Sequence, residues 1–179
     1  MKSPATLKGG VETGRQLLAA FAKRTGLVGH QAKVHRYLWT DAFAVCTLLD
    51  LGHPMEDKEA RAAALYLIEQ VHRTLGRHRS DDERSGWISG LSEGEGAQHP
   101  TAAGLRIGKS LPERQEGQAF DPELEWERDG QYFHYLTKWM HALSRASAVS
   151  GDETYLRWSV ELALAAHKGF TWSRPGEDH

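Results

Sequence analysis

Three carboxylates in this sequence lie beside tryptophans. Asp41 follows Trp39 and Thr40, Glu125 precedes Trp126, and Asp129 comes three residues later. Cleaving a glycosidic bond needs two carboxyl groups across the scissile bond, one acting as acid and the other as base or nucleophile. Asp41, Glu125 and Asp129 could supply such a pair. Trp39, Trp87 and Trp126 would offer flat apolar faces on which a sugar ring can stack, and Tyr132 and His134, just beyond Asp129, add polar aromatic rings. The same acids have plainer uses. Asp41 and Asp129 can cap helix N-termini, and Glu125 can be a solvated surface acid.

Other groups extend this set. His99, Arg106, Lys109 and Arg114 form a basic stretch that suits a uronate, phosphate or carboxylate on a ligand, or a set of salt bridges tying a loop to the body. Glu93 and Glu95 lie in the Gly-rich run GWISGLSEGEG, within reach of a substrate or simply of water. His134, Lys138, His141 and Arg145 share a helical face. A catalytic zinc usually takes three protein ligands, and Lys138 between the histidines would repel a cation, so a polar face is read there rather than a metal site. A histidine acting as general base is the alternative chemistry, as in sugar epimerases. Residues 103–110, AGLRIGKS, fit a permissive phosphate-loop pattern. A true P-loop follows a buried strand and opens a helix; GAQHPTA before it and LPER after it supply neither. No cofactor is expected. Cys46, the one cysteine, lies in the apolar run AFAVCTLL and reads as a core residue.

Apolar spacing shows which elements must carry these groups. Leu38, Ala42, Val45 and Leu49 recur at intervals of three and four, and Phe43, Cys46 and Leu48 put apolar groups on further faces. The spacing predicts a helix over 37–51 that is buried on most sides, stopped by Gly52 and Pro54. Ala64, Leu67, Ile68, Val71 and Leu75 predict an amphipathic helix over 58–75, ended by Gly76. Phe133, Leu136, Met140, Leu143 and Ser147 predict a helix over 131–149. Tyr155, Trp158, Leu162 and Ala165 predict another over 153–168, after the tight connection Gly151-Asp152. Between the pairs, residues 77–130 lose helical periodicity and are rich in Gly and polar residues. A segment of that length is an ordered excursion if it is anchored, and Trp87, Ile88, Leu105, Ile107, Phe120 and Trp126 are the anchors available. Short strands are expected near 87–91 and 105–107. Tyr37 and Tyr135 open two similar units, each an inner aromatic helix followed by an amphipathic outer one. The result is an all-α chain of antiparallel αα-hairpins with a weak internal repeat. Residues 14–23 suggest one more helix, while the rest of 1–35 fits no element clearly. All 179 residues read as one helical domain.

Composition narrows the function classes. With 22 basic and 24 acidic residues and a formal net charge of -2, neither nucleic acid nor an anionic membrane is expected as partner. No apolar run approaches the ~20 residues that span a bilayer, and the start MKSPATLKGG lacks a secretory signal. With a single cysteine, these features suggest a reducing cytoplasm.

The stretches RYLWTDAFAV, GWISGLSEGEG, HPTAAGLRIGKSLPER and LEWERDGQYFHYLTKWMHAL resemble uncharacterised bacterial proteins of the six-hairpin glycosidase-like group, over roughly residues 36–170. The resemblance implies an (α/α)6 toroid with a carbohydrate or other small polar ligand at the mouth of its inner helices. It makes a glycoside hydrolase-like activity the first expectation; a toroidal epimerase or a non-catalytic helical-repeat binding protein are the others. Six hairpins need on the order of 300 residues given usual connections. Two or three fit here, so a partial toroid is expected, whose unpaired hairpin faces allow self-association.

Overall fold

The computed structural model describes residues 4–28, 34–52, 57–114 and 117–171. Pro54, residues 29–33 and the terminal SRPGEDH lie outside the described residues. Among those described there are seven helices and no strand: α1 (Pro4–Arg24), α2 (Leu38–Gly52), α3 (Lys58–Leu75), α4 (Glu93–Gln98), α5 (Pro122–Glu127), α6 (Phe133–Ser150) and α7 (Glu153–Phe170). The chain is therefore all-α. The four helices predicted from apolar spacing form within two residues of their expected ends, and α1 is longer than the 14–23 predicted.

Local chemistry sets the boundaries. Asp57 caps α3 by accepting from the Ala60 N–H, and the Gly76 N–H closes its other end on the His72 carbonyl. Asp152 caps α7 through the Thr154 N–H, and Gly151, at φ 78°, takes the left-handed turn that ends α6. Four helices share one core. The α2 helix packs on α3 and on α6, and α6 packs on α7. Leu38, Val45, Leu49, Leu67, Ile68, Val71, Leu136, Trp139, Leu143 and Leu162 lie within it. The ends of α2 and α6 are matched. Tyr37 and Trp39 meet Tyr135 at one end, and Asp50 pairs with Arg145 at the other. Two helices whose starts touch and whose later turns touch run side by side in the same direction.

The apolar stripes are rotated slightly from those read in the sequence. Phe43 and Phe133 are exposed, whereas Trp139, Ala142 and Ala146 are buried. Trp139, the largest of the fully buried side chains, faces α3, where its Nε1 donates to His72.

Among the described residues the excursion is anchored by part of the expected set. Trp87, Leu105 and Ile107 are buried, but Phe120 is 67% exposed and Trp126 71% exposed. The expected short strands do not form. Trp87 makes only an isolated bridge with Arg77. Residues 105–107 run extended, but their backbone groups bond to helix ends and to a neighbouring turn: the Arg106 N–H donates to the Leu75 carbonyl, the Ile107 N–H to Gly130, and the Ile107 carbonyl accepts from Leu38. Because these carbonyls and amides are the open ends of α3 and α2, the segment seals helix termini instead of building a sheet.

Candidate functional site

The common end of α2 and α6 holds most of the residues singled out in the sequence. Asp41 lies in the first turn of α2, fully buried. Its Oδ2 accepts from the Tyr37 N–H at 3.0 Å, so it does secure the open end of α2. Its Oδ1 stands 3.6 Å from Arg36 Nη1, and both atoms lack a hydrogen-bond partner. Arg36 is itself buried and donates once, to the Thr25 carbonyl at 2.5 Å. The pair is thus attracted by charge without being hydrogen-bonded. Burial raises the Asp41 pKa to about 6, with Arg36 and the Tyr37 N–H only partly offsetting it.

Asp129 is held quite differently. Arg106 donates to its Oδ2, joined by Arg79 at 3.4 Å. Its Oδ1 accepts from the Gly108 N–H at 2.8 Å and from its neighbour Gly130 at 3.0 Å. Arg106 also donates to the carbonyls of Thr74 and Arg77, and Arg79 to those of Lys109 and Ser110. Asp129 therefore ties the end of α3 to the loop before α6. It does not cap α6, whose N-cap is Tyr132, without a side-chain bond. The AGLRIGKS run belongs to this knot, and no helix opens from it. Gly108 has φ 88°, and a Cβ there would stand 2.1 Å from the Arg36 carbonyl oxygen, so only glycine fits between the two aspartates.

Glu125, on α5, pairs with Arg114 at 3.0 Å and Arg128 at 3.2 Å. Each of the three acids thus has its own arginine partner, and the Ile107-Gly108 backbone runs between the start of α2 and Asp129.

Aromatic rings crowd the same end. Trp39 contacts Tyr135 at 5.2 Å and His134 at 5.9 Å between centroids. Tyr132 contacts both of those residues, and Tyr37 meets Tyr135 edge-on at 5.7 Å. The hydroxyls of Tyr37 and Tyr135 share a hydrogen bond, which together with burial holds the Tyr37 pKa above its ordinary value, burial being the larger cause. Lys109 Nζ lies 4.8 Å from the Trp126 ring and 5.7 Å from that of Tyr37. Lys138 Nζ lies 5.7 Å from Trp39. The result is a strip running Trp126, Lys109, Tyr37, Tyr135, Trp39, Lys138.

Trp87 and His99 stand apart from the strip. Trp87 lines a cleft of about 410 Å³ between α3, α4 and α7, with Tyr66, His72, Tyr155 and Trp158. His99 pairs with Glu161 of α7 at 2.6 Å, and Arg106 belongs to the Asp129 knot. His72 in that cleft wall accepts from Trp139 Nε1 at 3.0 Å, and burial lowers its pKa to about 3. Of the other acids considered, Glu95 forms a capping box with Ser92 and Glu93 pairs with Arg77.

Sequence reasoning missed Tyr37, Tyr135 and Lys138 as members of the strip. A signal was present for the tyrosines: Tyr37 and Tyr135 stand at or near the starts of α2 and α6. Among the described residues, no helix is long and apolar enough to cross a membrane, and no group of three His, Cys, Asp or Glu side chains could hold a metal. Comparison of the chain with known proteins found no matching family model, no matching curated protein and no matching solved structure.

Proposed function

We propose that α2–α3 and α6–α7 are antiparallel hairpins of a partial α/α toroid, and that the common end of its inner helices α2 and α6 binds carbohydrate. The strip of rings from Trp126 to Trp39 carries this reading. A pyranose presents an apolar C–H face and a polar rim. Partly exposed aromatic rings match the face, and the nearby charged and hydroxyl groups match the rim. Binding without hydrolysis is favoured over the paired-carboxylate mechanism because Asp41, Glu125 and Asp129 each have an arginine partner, and Asp41 and Asp129 are buried. Self-association through unpaired faces fits the exposed Leu156, Val160 and Leu164 at four-residue spacing on α7.

A hydrolytic reading with Asp41 as the acid would need its carboxyl, raised by burial to about 6 but fully enclosed, to become exposed to the ligand. Calorimetric titration with a panel of oligosaccharides tests the proposal. At least one should bind, and Trp39→Ala and Trp126→Ala should each weaken it by about tenfold, equivalent to about 1.4 kcal/mol. Substitution of the exposed Trp126 should do so at unchanged melting temperature, whereas that of Trp39, packed on Tyr135 and His134, should also lower it. Silence across the panel, or binding indifferent to both substitutions, would overturn it. Product release that disappears in Asp41→Asn would decide for hydrolysis.

A further inference from the structure

We infer that the ligand of the aromatic strip is an anionic oligosaccharide, one bearing carboxylate or sulfate on more than one ring; this rests on the carbohydrate reading above. The basic residues around the strip differ in how they are matched. Arg36 faces Asp41, Arg106 and Arg79 hold Asp129, and Arg114 and Arg128 hold Glu125. His99 pairs with Glu161, away from the strip. Lys109 and Lys138 are the exceptions. Among the described residues neither ammonium has a carboxylate within ion-pair distance, and each lies against ring faces instead: Lys109 on Trp126 and Tyr37, Lys138 on Trp39.

A ring face attracts a cation but leaves its charge uncompensated. An ammonium held on an aromatic surface therefore keeps its capacity to pair with an incoming anion. The order of the strip adds a length requirement. Tyr37, Tyr135 and Trp39 separate the two lysines, so a ligand that lies along the rings meets one cation near each end. Neutral sugar faces stack between them, and acidic substituents reach the ends. Charge complementarity of this kind sets which partner is accepted and speeds its arrival, as well as adding affinity.

The test uses the whole 179-residue chain and isothermal titration with five probes: a galacturonate hexamer, its methyl ester, a kappa-carrageenan oligosaccharide of similar length (sulfate without carboxylate), cellohexaose, and polyacrylate. The galacturonate or the sulfated probe, or both, should bind about tenfold more tightly than the uncharged ester, the factor expected from one compensated charge. Which of the two binds more tightly identifies carboxylate or sulfate as the preferred group. In the double variant Lys109→Met, Lys138→Met the ratio of acid to ester affinity should fall below about threefold, whatever the change in ester binding itself. Equal binding of ester and acid overturns the inference and leaves the carbohydrate reading standing. A preference that survives the double substitution overturns it as well. Polyacrylate binding as tightly as galacturonate would mean recognition of charge without sugar, overturning the inference. Absence of binding by every saccharide overturns this inference and the reading beneath it.

Discussion

Asp41 and Asp129 lie at the same end of the helical layer and are both buried beside arginine, yet they are built on opposite principles. Asp129 accepts from two guanidinium groups and two backbone amides. Asp41 accepts one backbone N–H and leaves an oxygen without a donor, opposite an arginine nitrogen that also lacks a partner. The first arrangement is a fastening: it returns to the carboxylate the hydrogen bonds that burial removed. The second is an under-compensated charge, and its cost appears as a raised pKa. Burial of an acid therefore does not reveal its role. The number of donors that surround it does.

The sharpest way to break this contrast is to remove each carboxylate in turn. Asp129→Ala should cost about 3–5 kcal/mol, the usual penalty for removing one member of a buried ion pair. Arg106 would lose its counter-ion while still tied to the Thr74 and Arg77 carbonyls. Asp129→Asn should cost nearly as much, because an amide that keeps the Gly108 and Gly130 bonds must turn its NH2 toward the guanidinium. Urea unfolding measures both. A loss below about 1 kcal/mol, typical of an exposed pair, would show that the knot does not hold the excursion.

For Asp41 the expected signature is a pH dependence. Its folded pKa of about 6 lies above the ordinary 3.8. Protonation is thus favoured in the folded state, and the stability this group contributes is fully present below pH 3.8 and lost as pH rises through 6. That shift corresponds to about 3 kcal/mol. His72 acts in the opposite sense: its pKa is lowered to about 3 from 6.5 by burial, so its contribution is present above pH 6.5 and lost as pH falls through 3. The two partly cancel between pH 4 and 6 in the parent chain. The difference between parent and Asp41→Asn isolates the first: the variant's relative stability should climb by about 3 kcal/mol from pH 3 to pH 7. A flat difference would place Asp41 among satisfied carboxylates like Asp129.

How much of this could be read from sequence differs by region. Helices α2, α3, α6 and α7 were legible because apolar residues at intervals of three and four dictate which side is buried, and because Gly76 and Gly151 mark where helices stop. The knot was not legible. Arg79 and Asp129 are fifty residues apart, and nothing in their local sequence distinguishes them from solvated charges. Arg106 reads in the sequence only as part of a basic stretch, since its acidic partner Asp129 lies 23 residues away. The exposed Phe120 and Trp126 differ for a related reason: apolar type suggests an anchor, as it does correctly for Trp87, Leu105 and Ile107, but the part of the loop around Trp126 is held by ion pairs of Glu125 with Arg114 and Arg128. Legibility fails where order comes from long-range hydrogen bonding, which leaves no periodic trace.

The smallest effect is expected at the edge of the ring strip, and it tests whether the strip is fastened as Asp129 is or merely packed. Tyr37→Phe removes the hydroxyl that bonds Tyr135 and keeps the ring against which Lys109 lies. One neutral hydrogen bond contributes about 1 kcal/mol net. The Tyr135 hydroxyl that remains is only part-buried and can turn to water, so the loss should lie at or below that figure. Saccharide binding, which depends on ring faces, should change by less than about twofold, equivalent to about 0.4 kcal/mol. A destabilisation approaching that of Asp129→Ala would mean that the tyrosine pair is a second knot holding α2 to α6. Loss of binding with stability intact would move the Tyr37 hydroxyl from the scaffold to the polar rim that the sugar touches.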